Sequence, residues 1–391
     1  MRPDTRTAGA LLALLSRDRA GLAAALPLLA AGCWCAAAGP AWAVPVGVVL
    51  IAAGLLLGAG SVRHQRVVAR LTAAHPPPGR LVDVGGYRLH VLAEGGRDAP
   101  ARRPAVVWMP GGHAPGVEFR HLHEAVRGET RSILVDRAGS GWSDIGPFPR
   151  TTALEAEELV AALAGAAEPG PFVLVGHSLG GLLMANVARR RPDLVAALVL
   201  LDPTPPDVIV YGPPNPALDR SFHRDLRDAL RRVFGLYRAP GGDQGDPGAP
   251  AGQDGELRAG MCRARFGCAA ASIFQELTPA GMAAAGWRTV VYDGDLGDLP
   301  LILVTPGDLT GGEMVLDTAD DRVTAERMRR FYRGTRERFL AASTASRRIL
   351  TPAGTSHNFP HEAPGAVAEA VLAVVAEAER RAVENHRGAA S

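Results

Sequence analysis

In one stretch of this chain an apolar strand, a serine between glycines and a helix follow one another without a break. Phe172-Val173-Leu174-Val175 reads as a covered strand. Gly176-His177-Ser178-Leu179-Gly180 comes next, and Leu182-Leu183-Met184-Ala185-Asn186-Val187-Ala188-Arg189 reads as a helix. A chain that passes from strand to helix in so few residues turns sharply at the serine, and only glycines tolerate the close packing on either side. The turn strains the Ser178 backbone, exposes its hydroxyl and aims the first helical amides at the site, where negative charge develops in acyl transfer. Ser178 is therefore the candidate nucleophile. The plain alternative is a glycine-rich turn with a capping serine, and the partners found elsewhere in the chain weigh against it.

The second constraint is the N-terminal run of residues 20–62, which holds no Asp, Glu, Lys or Arg. One membrane-spanning helix takes about 20 residues. The run fits two, at about 21–38 and 42–60, with Gly39-Pro40 as the turn. Arginines flank the outer ends (Arg2, Arg6, Arg17 and Arg19 before, Arg63, Arg66 and Arg70 after) and the turn has none. The positive-inside rule then puts both ends and the following domain in the cytoplasm. Two other readings are a signal peptide cleaved near Ala41-Trp42-Ala43 and a buried soluble hairpin.

Composition adds little chemistry. Net charge is +2, so nothing points to nucleic acid, and every basic residue besides histidine is arginine. The four cysteines show no metal-binding spacing. Cys33 and Cys35 lie in the apolar run, and Cys262 and Cys268 fit either free thiols or a local disulfide.

Residues 63–79 read as a basic, then proline-rich linker. From Arg80 a glycine-centred hairpin leads into β-α alternation. Strand-like runs are 104–109, 131–136, 171–176, 196–202, 300–305 and 347–351. Helix-like runs are about 117–127, 152–166, 180–191, 321–341 and 364–384. Thr152 with Glu155 reads as a capping box. This order predicts an α/β fold, a mostly parallel sheet with helices on both faces. The alternation breaks between Asp202 and Leu299. Residues 203–298 therefore read as a helical cap inserted after strand six, leaving 80–202 and 299–385 as the core. Helical stretches near 218–236 and 256–286 flank a disordered-type loop, 239–254.

A serine needs a base within hydrogen-bond reach, and the base needs an acid to fix its tautomer. His357 lies in a loop between the last strand and the last helix and is the candidate base, with His361 a rival closer to the helix. Two aspartates compete for the acid: Asp202 ends strand six and Asp308 follows strand seven, both at the carboxyl edge of the sheet where catalytic groups gather. Asp202 is preferred. For the oxyanion hole, the backbone amides of Leu179 and of Gly112, in Met109-Pro110-Gly111-Gly112-His113, are the candidate donors.

These residues resemble the α/β-hydrolase superfamily over about 80–384. Gly176-His177-Ser178-Leu179-Gly180-Gly181 is similar to its G-H-S-x-G-G elbow. Asp136-Arg137-Ala138-Gly139-Ser140-Gly141-Trp142-Ser143 resembles its D-R-x-G-x-G-x-S segment, and Ser356-His357-Asn358-Phe359-Pro360-His361 its G-H-F-P-H segment. Three departures stand out. Pro110-Gly111 replaces the family's His-Gly, Ser356 replaces a glycine, and Asp308 fits the family's usual acid position only with a one-residue shift. The resemblance implies a serine esterase-type hydrolase working through an acyl-enzyme, with no organic cofactor and no metal. Relatives that open epoxides or cleave carbon–halogen bonds use an aspartate where Ser178 stands. The membrane hairpin lies outside the core family pattern, and it motivates lipid-like esters as substrates. In the cap, Arg220, Arg224, Arg227 and Arg231 share a helical face, but Asp219, Asp225 and Asp228 interleave, as on a solvated self-paired helix. Amidase or peptidase activity, and a catalytically silent binding protein at the membrane, are the other functions weighed.

Overall fold

A computed structural model describes residues 19–96, 103–112, 114–147, 150–204, 295–307 and 336–389. It also describes isolated positions between 14 and 17, 227 and 236, and 326 and 334. The predicted cap, 203–298, lies almost wholly outside the described residues, as do Asp308, Cys262 and Cys268.

The apolar run forms two packed helices, α1 (Ala20–Ala38) and α2 (Ala43–Ala74). Both are long and apolar enough to cross a membrane. Glycines let them meet closely: a Cβ on Gly32 would lie 2.9 Å from the Gly47 carbonyl oxygen, and one on Gly54 2.7 Å from Leu29 Cγ. Small residues at a helix–helix seam allow this close approach. Their outer surfaces are apolar, with Leu26, Val49 and Leu56 about two-thirds exposed, and Trp34 and Trp42 exposed near the turn. Helix α2 runs on to Ala74, so the first two-thirds of the predicted linker is helical. Nothing in Arg63 to Ala74 breaks a helix, and the chain stops only before Pro76-Pro77-Pro78.

The sheet has eight strands in the order β1-β2-β4-β3-β5-β6-β7-β8. Strands β1 (Arg80–Asp83) and β2 (Arg88–Glu94) form the antiparallel leading hairpin, and β2 is also antiparallel to β4. Strands β3 (Ala105–Met109), β4 (Ser132–Val135), β5 (Phe172–His177), β6 (Val195–Leu201), β7 (Leu301–Thr305) and β8 (Ser346–Leu350) pair in parallel. The central strands are apolar at nearly every position because helices cover both faces. One face buries Val107, Leu174, Leu198 and Leu303 under α4 (Thr152–Gly165) and α5 (Leu179–Arg190). The other buries Val106, Trp108, Val173 and Val199 under α3 (Arg120–Val126) and the C-terminal helix α7 (Pro364–Ala389). A short helix α6 (Phe359–Glu362) precedes α7, and a 3₁₀ turn (Gly116–Phe119) precedes α3.

The cap of α4 corrects the predicted capping box. The N-cap is Thr151, whose hydroxyl accepts from the Leu154 amide at 3.1 Å. Glu155 instead turns inward to Arg150, 3.1 Å away. An acid near a helix start is available to any buried arginine, and the tertiary ion pair displaces the local cap.

Candidate active site

Ser178 joins β5 to α5 with φ 52° and ψ −121°. A non-glycine residue in this region is strained, and surrounding structure must hold it there. Glycines make the fit possible: a Cβ on Gly176 would run into the Gly180 carbonyl, and one on Gly180 into the carbonyls of Met109 and Pro110. The Ser178 amide donates to the Leu201 carbonyl at 3.0 Å. The loop after β6 is tied back to the elbow, the Thr204 amide donating to the Ser178 carbonyl at 2.9 Å, and the two hydroxyls lying 3.4 Å apart. Thr204 is a neighbour that sequence reading missed; only its closeness to Asp202 pointed to it.

Leu179 is the first residue of α5, so its amide has no intrahelical acceptor and faces the turn. In the candidate oxyanion loop the glycine seated against the serine is Gly111, where a Cβ would lie 3.3 Å from Ser178 Cβ and 3.4 Å from His177 Nδ1. Gly112, the predicted donor, follows it and is half-buried. Arg137 Nη2 donates to the Gly111 carbonyl at 3.0 Å. That guanidinium is buried and belongs to a charged cluster: Arg137 lies 3.6 Å from Glu155, and Arg150 pairs with Glu155 and, at 2.5 Å, Glu158. The loop that lacks the family's histidine is thus held by an arginine from the loop after β4.

Of the two candidate acids Asp308 lies outside the described residues, and Asp202 Oδ2 lies 2.6 Å from Nδ1 of the candidate base His357. Asp202 is buried, and a φ of 42° turns its backbone inward directly after β6. Burial pushes its carboxyl pKa up, but the hydrogen bond from His357 and the charge of Arg336 outweigh it, so the group lies below its ordinary value. The Arg336 contact was invisible in the sequence: Nη2 donates to Oδ2 at 3.0 Å and Nε lies 2.7 Å from Oδ1.

His177, the residue before Ser178 in the elbow, supports the candidate base. Its Nε2 donates to the His357 carbonyl at 2.9 Å and the two rings stand 4.5 Å apart. Burial first, then the charge of His357, pushes its pKa down to about 3, so it remains neutral and keeps the proton it donates. His361 is engaged elsewhere: its Nε2 meets Glu118 at 3.2 Å and its ring stands 4.9 Å from that of His121. It pins α6 to the turn before α3.

A family model described as the alpha/beta hydrolase family matches residues 106–370. This chain belongs to that family. Among individual relatives, mouse sn-1-specific diacylglycerol lipase ABHD11 is 30% identical over 167 residues, 42% of this chain and 50% of that protein. The uncharacterised protein YbdG of Bacillus subtilis is 30% identical over 159 residues, 39% of this chain and 47% of its own length. The chain spans about half the length of these curated relatives. The haloalkane dehalogenase DbeA-M1 loop variant of Bradyrhizobium elkanii superposes with a TM-score of 0.54 at 18% identity, over 78% of this chain and 99% of that one. At that identity the likeness is one of fold.

Proposed function

We propose that the chain is a membrane-anchored serine hydrolase that cleaves ester-type, lipid-like substrates through an acyl-enzyme on Ser178. The observation that carries this reading is the strained Ser178 on the same sheet edge as a His357 whose Nδ1 meets a buried, ionised Asp202. In the proposed reaction His357 Nε2 takes the Ser178 proton as Oγ attacks the ester carbonyl carbon. The alkoxide of the tetrahedral intermediate accepts hydrogen bonds from the Leu179 amide and a Gly111-Gly112 loop amide. The C–O bond breaks, His357 gives its proton to the leaving alcohol, and water repeats the sequence on the acyl-enzyme. Asp202 stabilises the imidazolium at each stage.

Three features support a lipid-like substrate. The relative named as a diacylglycerol lipase acts on a lipid ester by its name. Two apolar helices precede the hydrolase domain. Within α2, just past the end of its apolar run, Arg63 Nη1 donates to the Gly235 carbonyl, and the adjoining Leu230, Phe234 and Leu236 are exposed, an apolar stretch at the level where the apolar run ends. The arginines that flank the hairpin put the hydrolase on the cytoplasmic side.

The test is hydrolysis by the full-length protein in vesicles, comparing a long-chain monoacylglycerol, a water-soluble butyrate ester and the matching butyryl anilide. Faster turnover of the membrane-dissolved ester, with the anilide slowest, is expected. Equal turnover of both esters removes the lipid preference, and no turnover of any by folded protein favours the silent, ligand-binding alternative.

A further inference from the structure

Among the described residues, Arg336 is the cation that meets the proposed triad acid. It stands on a helical turn leading into β8, and its i+3 neighbour Phe339 is fully buried beside Leu301 and Leu303. Residues three apart share a helix face, so anchoring Phe339 in the core turns Arg336 inward as well. Its guanidinium faces the carboxylate: Nη2 donates to Oδ2 at 3.0 Å, and Nε lies 2.7 Å from Oδ1 as an ionic contact that is not aligned as a hydrogen bond. The Arg336 side chain is about nine-tenths buried and that of Asp202 wholly so. One charge-assisted hydrogen bond and a second close ionic contact together restrain the position of a carboxylate.

We infer that Arg336 is a positioning residue that acts on His357 through Asp202. It locks the carboxylate so that Oδ2 points at Nδ1, and its charge sets how strongly Asp202 favours the imidazolium formed during acylation. The inference rests on the serine-hydrolase reading above. A carboxylate facing a histidine alone gives its full negative charge to the developing imidazolium. Here one oxygen is shared and the other neutralised, and the guanidinium itself opposes a second positive charge close by. Loss of Arg336 therefore loosens the acid and at the same time makes protonated His357 more favourable. The other groups around His357 are His177 from β5, which stays neutral, Glu362 of α6, which accepts from the Ser356 amide at 2.6 Å, and the Glu118–His361 pair across Phe119. None of them is altered by replacing Arg336.

The experiment measures kcat/KM against pH for a p-nitrophenyl butyrate substrate, using full-length protein in detergent: wild type, Arg336→Gln, Arg336→Lys, and Arg336→Gln with Asp202→Asn. Arg336→Gln is expected to move the acid limb up by about one pH unit and to lower the plateau kcat by about tenfold. Arg336→Lys retains the charge but loses the guanidinium, so its acid limb stays within a few tenths of a pH unit of wild type while kcat falls severalfold. With Asp202→Asn already present, Arg336→Gln changes the rate by less than about twofold, because its route to His357 is gone. An acid limb in Arg336→Gln that coincides with wild type or moves down overturns the inference, and so does an equal rate loss in the Asp202→Asn background. Should Arg336→Gln fail to fold, Arg336→Lys decides: an unmoved limb with reduced kcat supports the role, and an unchanged kcat or a shifted limb refutes it. A wild type that neither turns over the ester nor uses Ser178 refutes the hydrolase reading instead, so the two failures are distinct.

Discussion

His177 ties stability to pH in a way that one substitution isolates. The ring is buried, donates to the His357 carbonyl and has its pKa pushed down to about 3, against about 6.5 for a free histidine. Between those values the unfolded chain binds a proton that the folded chain refuses, so stability falls as pH falls through this window and is fully present above it. Each pH unit inside the window costs about 1.4 kcal/mol. From pH 7 to pH 5, allowing for partial protonation near 6.5, His177 alone removes about 2 kcal/mol. His121 and His123 are also shifted down, chiefly by burial, and act with the same sign. A glutamine at 177 retains an N–H for the His357 carbonyl and has no proton to gain. The assay is thermal unfolding of full-length protein in detergent at pH 7 and pH 5, wild type beside His177→Gln. The wild type is expected to lose about 4–8 °C more than the variant between the two pH values. Equal losses in both proteins would refute the claim that His177 is held neutral by its surroundings.

Further expectations follow from the packing around the elbow. Gly180→Ala drives a Cβ into two backbone carbonyls that cannot give way; labelling of Ser178 by a fluorophosphonate should fall by about 10²-fold, and labelling within twofold of wild type would contradict the fit. Arg150→Met removes the guanidinium that pairs with both buried Glu155 and Glu158; it should destabilise by about 3–5 kcal/mol in urea unfolding, with partial recovery when Glu158→Gln is added. Arg137→Met frees the Gly111 carbonyl; it should lower kcat by about tenfold with KM nearly unchanged, and a change confined to KM would argue against support of the oxyanion loop.

The parts of this fold that could be read from sequence are those in which local pattern and tertiary role coincide. Covered parallel strands are continuous apolar runs, so β3, β5, β6 and β7 stand out, each within about one residue of its observed bounds. The elbow is legible because a sharp strand-to-helix turn needs glycines at fixed offsets from the serine. Asp202 was one of two strand-end aspartates, and no local signal separates them; what brings it to His357 is a contact 155 residues away in sequence. Arg336 is 134 residues from Asp202 and one of many arginines, so nothing short of the fold distinguishes it. Glu155 shows the opposite failure: a local capping pattern fits it, yet the buried Arg150 claims it. The basic segment after Val62 continues α2 to Ala74, because charge marks the end of an apolar surface and not the end of a helix.

The central claim is that Ser178 is an activated nucleophile served by His357 and Asp202. Fluorophosphonate labelling of the full-length protein in detergent tests it directly, with wild type beside Ser178→Ala and Asp202→Asn. Wild type should label, Ser178→Ala should not, and Asp202→Asn should label at least about 10²-fold more slowly. A folded wild type that fails to label, or a Ser178→Ala variant that labels at the wild-type rate, would contradict it.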